Sequence, residues 1–170
     1  MEYASVFFQK NLWGNGGSEA QRPVLEYLKS RGLTKETVQE WKIGFALPEW
    51  RTLLTALKNK KFNEVEMERV GLIKRKDKAE GDSEHRSASE LTSHDYYDRF
   101  RSRIMFPIFD TSGRVIAFSG RIFNGGENDA KYLNSPETPL FTKSHVLYGL
   151  HKAKQALREK DFAILVEGQM

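Results

Sequence analysis

The sequence predicts a mixed α/β (α+β) fold: short N-terminal helices, then an antiparallel β-hairpin sheet, then one more helix and a single strand of the parallel-sheet kind. Three observations carry that expectation. Apolar residues recur at helical spacing up to about residue 73, and from Arg99 onward they alternate with a period of two. The last apolar stretch, residues 162–166, is unbroken, as in strands buried on both faces.

Taken in order, Ser18 with Gln21 three residues on has the form of a capping box, and Val24, Leu25 and Leu28 make an apolar stripe that stops near Gly32. Thr34 is placed to cap a second helix carrying Val38 and Trp41 and closed by Gly44. After Pro48, Trp50, Leu53, Leu54 and Leu57 stand at i, i+3, i+4 and i+7, which puts them on one apolar face of a third helix. Asn63 with Glu66 opens a fourth through Val65 and Val70, with Gly71 in the C-cap position. Helices this short are stable only against one another's faces.

Residues 74–95 hold no Phe, Trp or Tyr and have nearly balanced charge, so they predict a solvated loop. The KRK that opens the segment has a docking-site reading beside the commoner one of plain solvation. Ile104, Phe106 and Ile108 then alternate with Met105 and Pro107, residues 110–113 supply turn chemistry, and Val115, Ala117 and Ser119 alternate with Ile116, Phe118 and Gly120, a β-hairpin. A second turn over residues 124–129 precedes Lys131, Tyr132 and Leu133. Residues 149–160 read as an amphipathic helix with Leu150, Ala153, Ala156 and Leu157 inward, feeding the strand at 162–166. Without sheet neighbours that strand would be an apolar edge, prone to fray or self-associate.

The 170 residues suffice for one domain with its own core, and no apolar run is long enough to span a membrane, so a soluble, cytoplasmic protein is expected. The absence of cysteine excludes disulfides, thiol nucleophiles and cysteine-ligated zinc, and the four histidines have no metal-site spacing. Net charge is +4, from 27 Lys+Arg against 23 Asp+Glu, without a basic tail, so any nucleic-acid site must come from folded geometry.

The candidate chemistry lies in the second half. Glu167 and Gly168 follow the 162–166 strand at its carboxyl end, where ligands of α/β sheets gather, so Glu167 is a candidate Mg²⁺ ligand or general base. One carboxylate does not hold a catalytic metal, and no DxD occurs anywhere in the chain. Arg99, Arg101 and Arg103 at i, i+2 and i+4 would leave one face of an extended strand about 6.5 to 7 Å apart, the spacing of successive phosphates. The alternative is a face charged for solubility, with Asp98 and Asp110 as cross-strand partners. Arg121, Lys131 and Lys143 add cations. In the segment from Lys131 to Leu150, Asn134 and Ser135 offer hydrogen bonds. Its aromatic residues either stack bases or pin the loop to the core.

At these residues the sequence resembles a known family. YYDRFRSRIMFPIFDTSGRVIAFSGRIF, KYLNSPETPLFTKSHVLYGL and ILVEGQM, with VLEYLKSRGLTKETVQEWKIGFALPEW upstream, are similar to consecutive segments of the RNA-polymerase core of bacterial DnaG-type DNA primases. The resemblance implies an enzyme that copies single-stranded DNA into RNA primers at the bacterial replication fork, in the cytoplasm and associated with the nucleoid. Its partners would be template, RNA–DNA hybrid, ribonucleoside triphosphates and a replicative helicase bound through a C-terminal domain, with no membrane. It makes residues 1–160 the N-terminal subdomain and 161–170 the start of a Toprim subdomain, whose first strand is 162–166. By motif match, Glu167 is the Toprim glutamate that binds Mg²⁺ or Mn²⁺. Arg121, Lys131 and Lys143 match residues bordering the active site, Arg99, Arg101 and Arg103 match the arginine-rich strand, and Arg31 matches a further family arginine. Zinc belongs to an N-terminal domain of the family that has no counterpart here. These expectations describe a primase fragment inactive by itself, with a non-catalytic single-strand-binding module as the alternative.

Overall fold

The alternating residues of the hairpin build the sheet on which the other elements pack. In the computed structural model, which describes residues 1–14, 21–76, 95–126 and 129–168, β4 (Arg103–Phe109) pairs antiparallel with β5 (Val115–Ile122), with Ile104 opposite Arg121 and Phe106 opposite Ser119. β1 (Gly44–Ala46) flanks β4, and β6 (Tyr132–Asn134) flanks β5, giving the order β1-β4-β5-β6. A separate ribbon joins β2 (Ile73–Arg75) to β3 (Tyr96–Asp98).

Every residue of β4 is buried, because helices cover both faces of the sheet. On one face Met105, Phe109 and Phe118 meet Ala4 and Phe8 of α1 (Glu2–Trp13), Leu53, Leu54 and Leu57 of α4 (Thr52–Lys58), and Met67 of α5 (Glu64–Arg69). On the other, Ile104 and Phe106 meet Val24 and Leu28 of α2 (Arg22–Ser30) and Val38 of α3 (Lys35–Glu40). The caps read from the sequence form as expected: Thr34 accepts from the Thr37 N–H, and Asn63 and Glu66 make a reciprocal capping box. Gly71 leaves α5 with φ of +72°, a conformation suited to glycine, and Pro136 packs where a side chain would stand. Ser18 lies outside the described residues.

Several expectations are corrected. Helix α1 had no periodic signal; it forms against β1, and Gly44 is the point of close approach rather than a cap, since a Cβ there would stand 2.7 Å from Gln9 N and overlap the Phe8 backbone. Helix α3 is instead left through Trp41 and Lys42, the latter at φ +52°. Trp50 precedes α4 and is 60% exposed, so it is no part of the apolar face made by Leu53, Leu54 and Leu57. Residues 74 and 75 belong to β2, the Lys76 N–H donates to the Asp95 carbonyl, and only 77–94 of the expected loop lies outside the described residues.

The last helix, α6 (Leu150–Lys160), buries none of its residues. The 162–166 segment is not a buried strand: it has no ladder partner among the described residues, and Ile164, Leu165 and Val166 are 79 to 80% exposed. A run buried on both faces needs strands or helices on each side of it, and no described element lies there. Leu165 and Phe162 fold back beside Leu150 and Leu157, lining an open groove.

Candidate nucleic-acid interface

The arginines are organised by backbone breaks, not by one extended strand. Phe100 turns into the core, Ser102 takes φ +49°, and its carbonyl accepts from the Phe123 N–H, so regular β4 begins only at Arg103. The expectation of three guanidinium groups on one face is therefore not met. Arg103 points inward, 8% exposed, and donates to the carbonyls of Gly120 and Ala130, both at 3.0 Å; burial lowers its basicity. Arg99 donates from Nη2 to the Asn134 carbonyl at 3.1 Å, tying the arginine segment to β6. Arg101 lies over the Trp50 ring at 4.0 Å and the Tyr97 ring at 5.1 Å, and donates to the Asp98 carbonyl.

Arg121 faces Tyr132 across the β5–β6 ladder. Its Nε donates to the Tyr27 hydroxyl at 2.9 Å and its Nη1 to the Tyr132 hydroxyl at 2.7 Å, with the guanidinium within 6 Å of both ring centres. Lys131 and Asn134 expose their side chains on either side of Tyr132. Arg31 is the exposed C-cap of α2, its N–H on the Tyr27 and Leu28 carbonyls, and no side-chain contact among the described residues joins it to that edge. Arg121, Tyr132 and Asn134 thus share one face at the β5–β6 edge and Arg99 is tied to the β6 backbone there, while the register turns Arg103 and the neighbouring Lys131 to the other face, and Arg31 is exposed at the C-cap of α2.

Among the described residues, none of these arginines makes an ion pair; the four salt bridges found join Lys42–Glu2, Lys58–Glu64, Arg114–Asp110 and Lys152–Glu40. Nor do Asp98 and Asp110 act as cross-strand partners. Asp98 is 1% exposed and accepts from the N–H groups of Leu53 and Leu54 and the Thr52 hydroxyl, fixing the start of α4; burial raises its carboxyl despite those donors. Asp110 binds its own turn and Arg114.

Two candidates stand apart. Lys143 opens a 3-10 turn, Lys143–His145, where its N–H donates to Glu137 while its side chain is exposed. Glu167 is exposed, and no contact among the described residues joins it to the cations. The base of α6 sits at the other end of the hairpin, where His151 stacks on Phe109 and Lys154 donates to the Thr111 carbonyl. Six residue steps of β4 separate that end from Arg103, roughly 20 Å, and no salt bridge among the described residues joins Glu167 to a cation. No group of three or more Asp, Glu or His side chains that could hold a metal occurs among the described residues. A lone exposed carboxylate does not fit a divalent cation on its own.

Sequence reasoning missed Tyr27, Trp50 and Tyr97. Tyr27 lies 94 residues from Arg121, and no local pattern announces such a pair. Trp50 carried a helical signal that pointed inward. Phe141, by contrast, does pin its loop to Ile108 and Ala117, while Tyr132 holds Arg121 and Leu147 stays 55% exposed.

The family described as "DNA primase catalytic core, N-terminal domain" matches residues 7–154. The DNA primase of Pseudomonas putida is 39% identical over 170 residues, all of this chain and 23% of that protein, so the chain spans about a quarter of such relatives. The crystal structure of the RNA polymerase domain of Mycobacterium tuberculosis primase DnaG superposes with a TM-score of 0.81 at 30% identity, over 99% of this chain and 48% of that one. A DnaG primase catalytic domain bound to single-stranded DNA superposes at 0.68 and 35% identity, over 92% of this chain and 42% of that one. Matched over most of its length in sequence and in fold, the chain belongs to the DNA primase catalytic core family, of which it is the N-terminal domain.

Proposed function

We propose that the chain is the template-holding part of a primase that copies single-stranded DNA into RNA primers, and that the β5–β6 edge carries the nucleic acid. Arg99, Arg121, Lys131 and Asn134 would take backbone phosphates of template or RNA–DNA hybrid, with Arg31 and Lys143 extending the path toward incoming ribonucleoside triphosphates. The observation that carries this reading is Arg121. Two tyrosine hydroxyls fix its guanidinium without neutralising it, so its full charge stays available to an anion. The single-stranded DNA held by the relative with the same fold supports it.

Glu167 acts, in this reading, only with acids that the described residues do not supply, so these 170 residues bind without polymerising. The whole protein's work with a replicative helicase, and a division into subdomains at 160/161, belong to the same proposal. Affinity for a labelled oligo(dT) tests it. Contact with about three phosphates gives a log K against log salt slope near −2, and Lys131→Ala should make the slope shallower. An unchanged slope removes the edge from the binding face.

A further inference from the structure

Between the end of α1 and the α2–α3 turn lies a cavity of about 540 Å³ that takes no part in the β5–β6 edge. We propose that it is a binding site for an amphipathic carboxylate, a small ligand with an aliphatic body and one anionic head, whose head group Lys29 and Lys35 receive at the mouth. Tyr27 leaves α2 two positions from both Leu25 and Lys29, so the cavity and the Arg121 anchor occupy opposite flanks of that helix.

The walls follow from helical spacing. Leu25 and Lys29, four residues apart, share one stripe of α2, and Lys35 and Val38, three apart, share one of α3. Leu28 and Val38 are buried at the floor, while Trp13, Leu25 and Leu33 are half-buried and close the sides. The turn that joins the two helices is fixed by its backbone: the Gly32 N–H donates to the Lys29 carbonyl at 2.9 Å and the Leu33 N–H to the Leu28 carbonyl at 3.1 Å. Gly32 takes φ +82°, and a Cβ there would meet nothing within 4 Å, which leaves the mouth open on that side. Thr34 then caps α3 through the Thr37 N–H, so the shape is set before a ligand arrives.

The charge of the mouth is one-sided. Lys29 and Lys35 are exposed, and among the described residues no acidic side chain lines the cavity and neither lysine makes an ion pair. Two ammonium groups above an aliphatic floor suit a carboxylate that carries a hydrocarbon body. A neutral apolar molecule would leave the lysines idle. A nucleotide would set the polar edges of its sugar and base against leucine and valine side chains that return no hydrogen bond, and desolvation would oppose it. Lys35 Nζ stands 5.9 Å from the centre of the Trp13 ring, so a cation already occupies that aromatic face and the body of the ligand falls to the aliphatic walls.

The experiment uses the full 170-residue chain, isotope-labelled for NMR, and decanoate below its micellar concentration, with decanol and decylammonium as head-group controls. The signals of the three indole N–H groups are followed, and that of Trp13 is identified by its loss in Trp13→Phe. The exposed 162–166 run also offers apolar surface, so binding is scored at Trp13 alone. Decanoate should shift the Trp13 signal saturably, and decanol and decylammonium should bind there more weakly. Lys29→Ala combined with Lys35→Ala, both at exposed positions, should weaken decanoate about 2- to 30-fold and leave decanol unchanged. If decanol binds as tightly as decanoate, or the double variant binds decanoate like wild type, the anion site is overturned. A Trp13 signal that stays still at saturating decanoate overturns it as well.

Discussion

One residue type does three jobs within five positions. Arg103 is withdrawn from solvent and ties three stretches of backbone through the Gly120 and Ala130 carbonyls, Arg101 covers an indole, and Arg99 spans to β6. What separates them is φ and burial, since Ser102 at +49° turns the chain between the second and third. Glycine shows the same dependence on surroundings. At Gly44 a methyl would collide with the backbone of α1, which has no rotamer through which to yield. Gly44→Ala should therefore destabilise the chain by about 1–3 kcal/mol, the range for an overpacked core, measurable as a lower urea midpoint at unchanged m-value. A neutral outcome would mean that α1 does not cross β1 as closely as described.

At the scale of elements, attachment depends on which end of a helix is held. Helix α4 is fixed at its start by the buried Asp98 carboxylate and along one face by Leu53, Leu54 and Leu57. Helix α6 is held only near its first turns. Tyr148 stacks on Trp41, His151 lies 4.3 Å from Phe109, and Lys152 pairs with Glu40. Burial, then the nearby Lys152, Lys154 and Lys42, lower the His151 imidazole from its ordinary 6.5, with Asp110 opposing weakly. A depressed histidine means the folded state keeps the neutral form, so its contribution to docking is complete above about pH 6.5 and is lost as pH falls through the lower folded value. Amide exchange in α6 should thus accelerate between pH 7 and pH 5 relative to the sheet. His151→Phe should flatten that dependence, and equal acceleration in the variant would exclude the imidazole as its source.

For the whole molecule, the balance is between a sheet covered on both faces and a C-terminal segment covered on neither. Phe162, Ile164, Leu165 and Val166, all at least 65% exposed, continue from a helix that buries no residue. Apolar surface left in water drives association. The free 170-residue chain should sediment as a concentration-dependent mixture, and replacing Ile164 and Val166 by Ser should return it to monomer without moving the unfolding midpoint. A strictly monomeric wild type would count against this account.

Local rules determined a good part of the protein. The hairpin at 103–122, the caps at Thr34 and Asn63 and the α6 span were legible because periodicity, turn residues and capping hydrogen bonds act within a few positions. The family resemblance pointed to Arg99, Arg121 and Lys131, and the composition of the 131–150 segment to Asn134. Only the tertiary structure decided that α1 exists against β1, that Arg103 is buried while Arg121 is held open by Tyr27, and that Trp50 faces solvent beside Arg101. It also decided that an apolar run at 162–166 stays uncovered. Burial and long-range pairing are properties of what stands opposite a residue, and a sequence pattern records a residue's preference without supplying its neighbour.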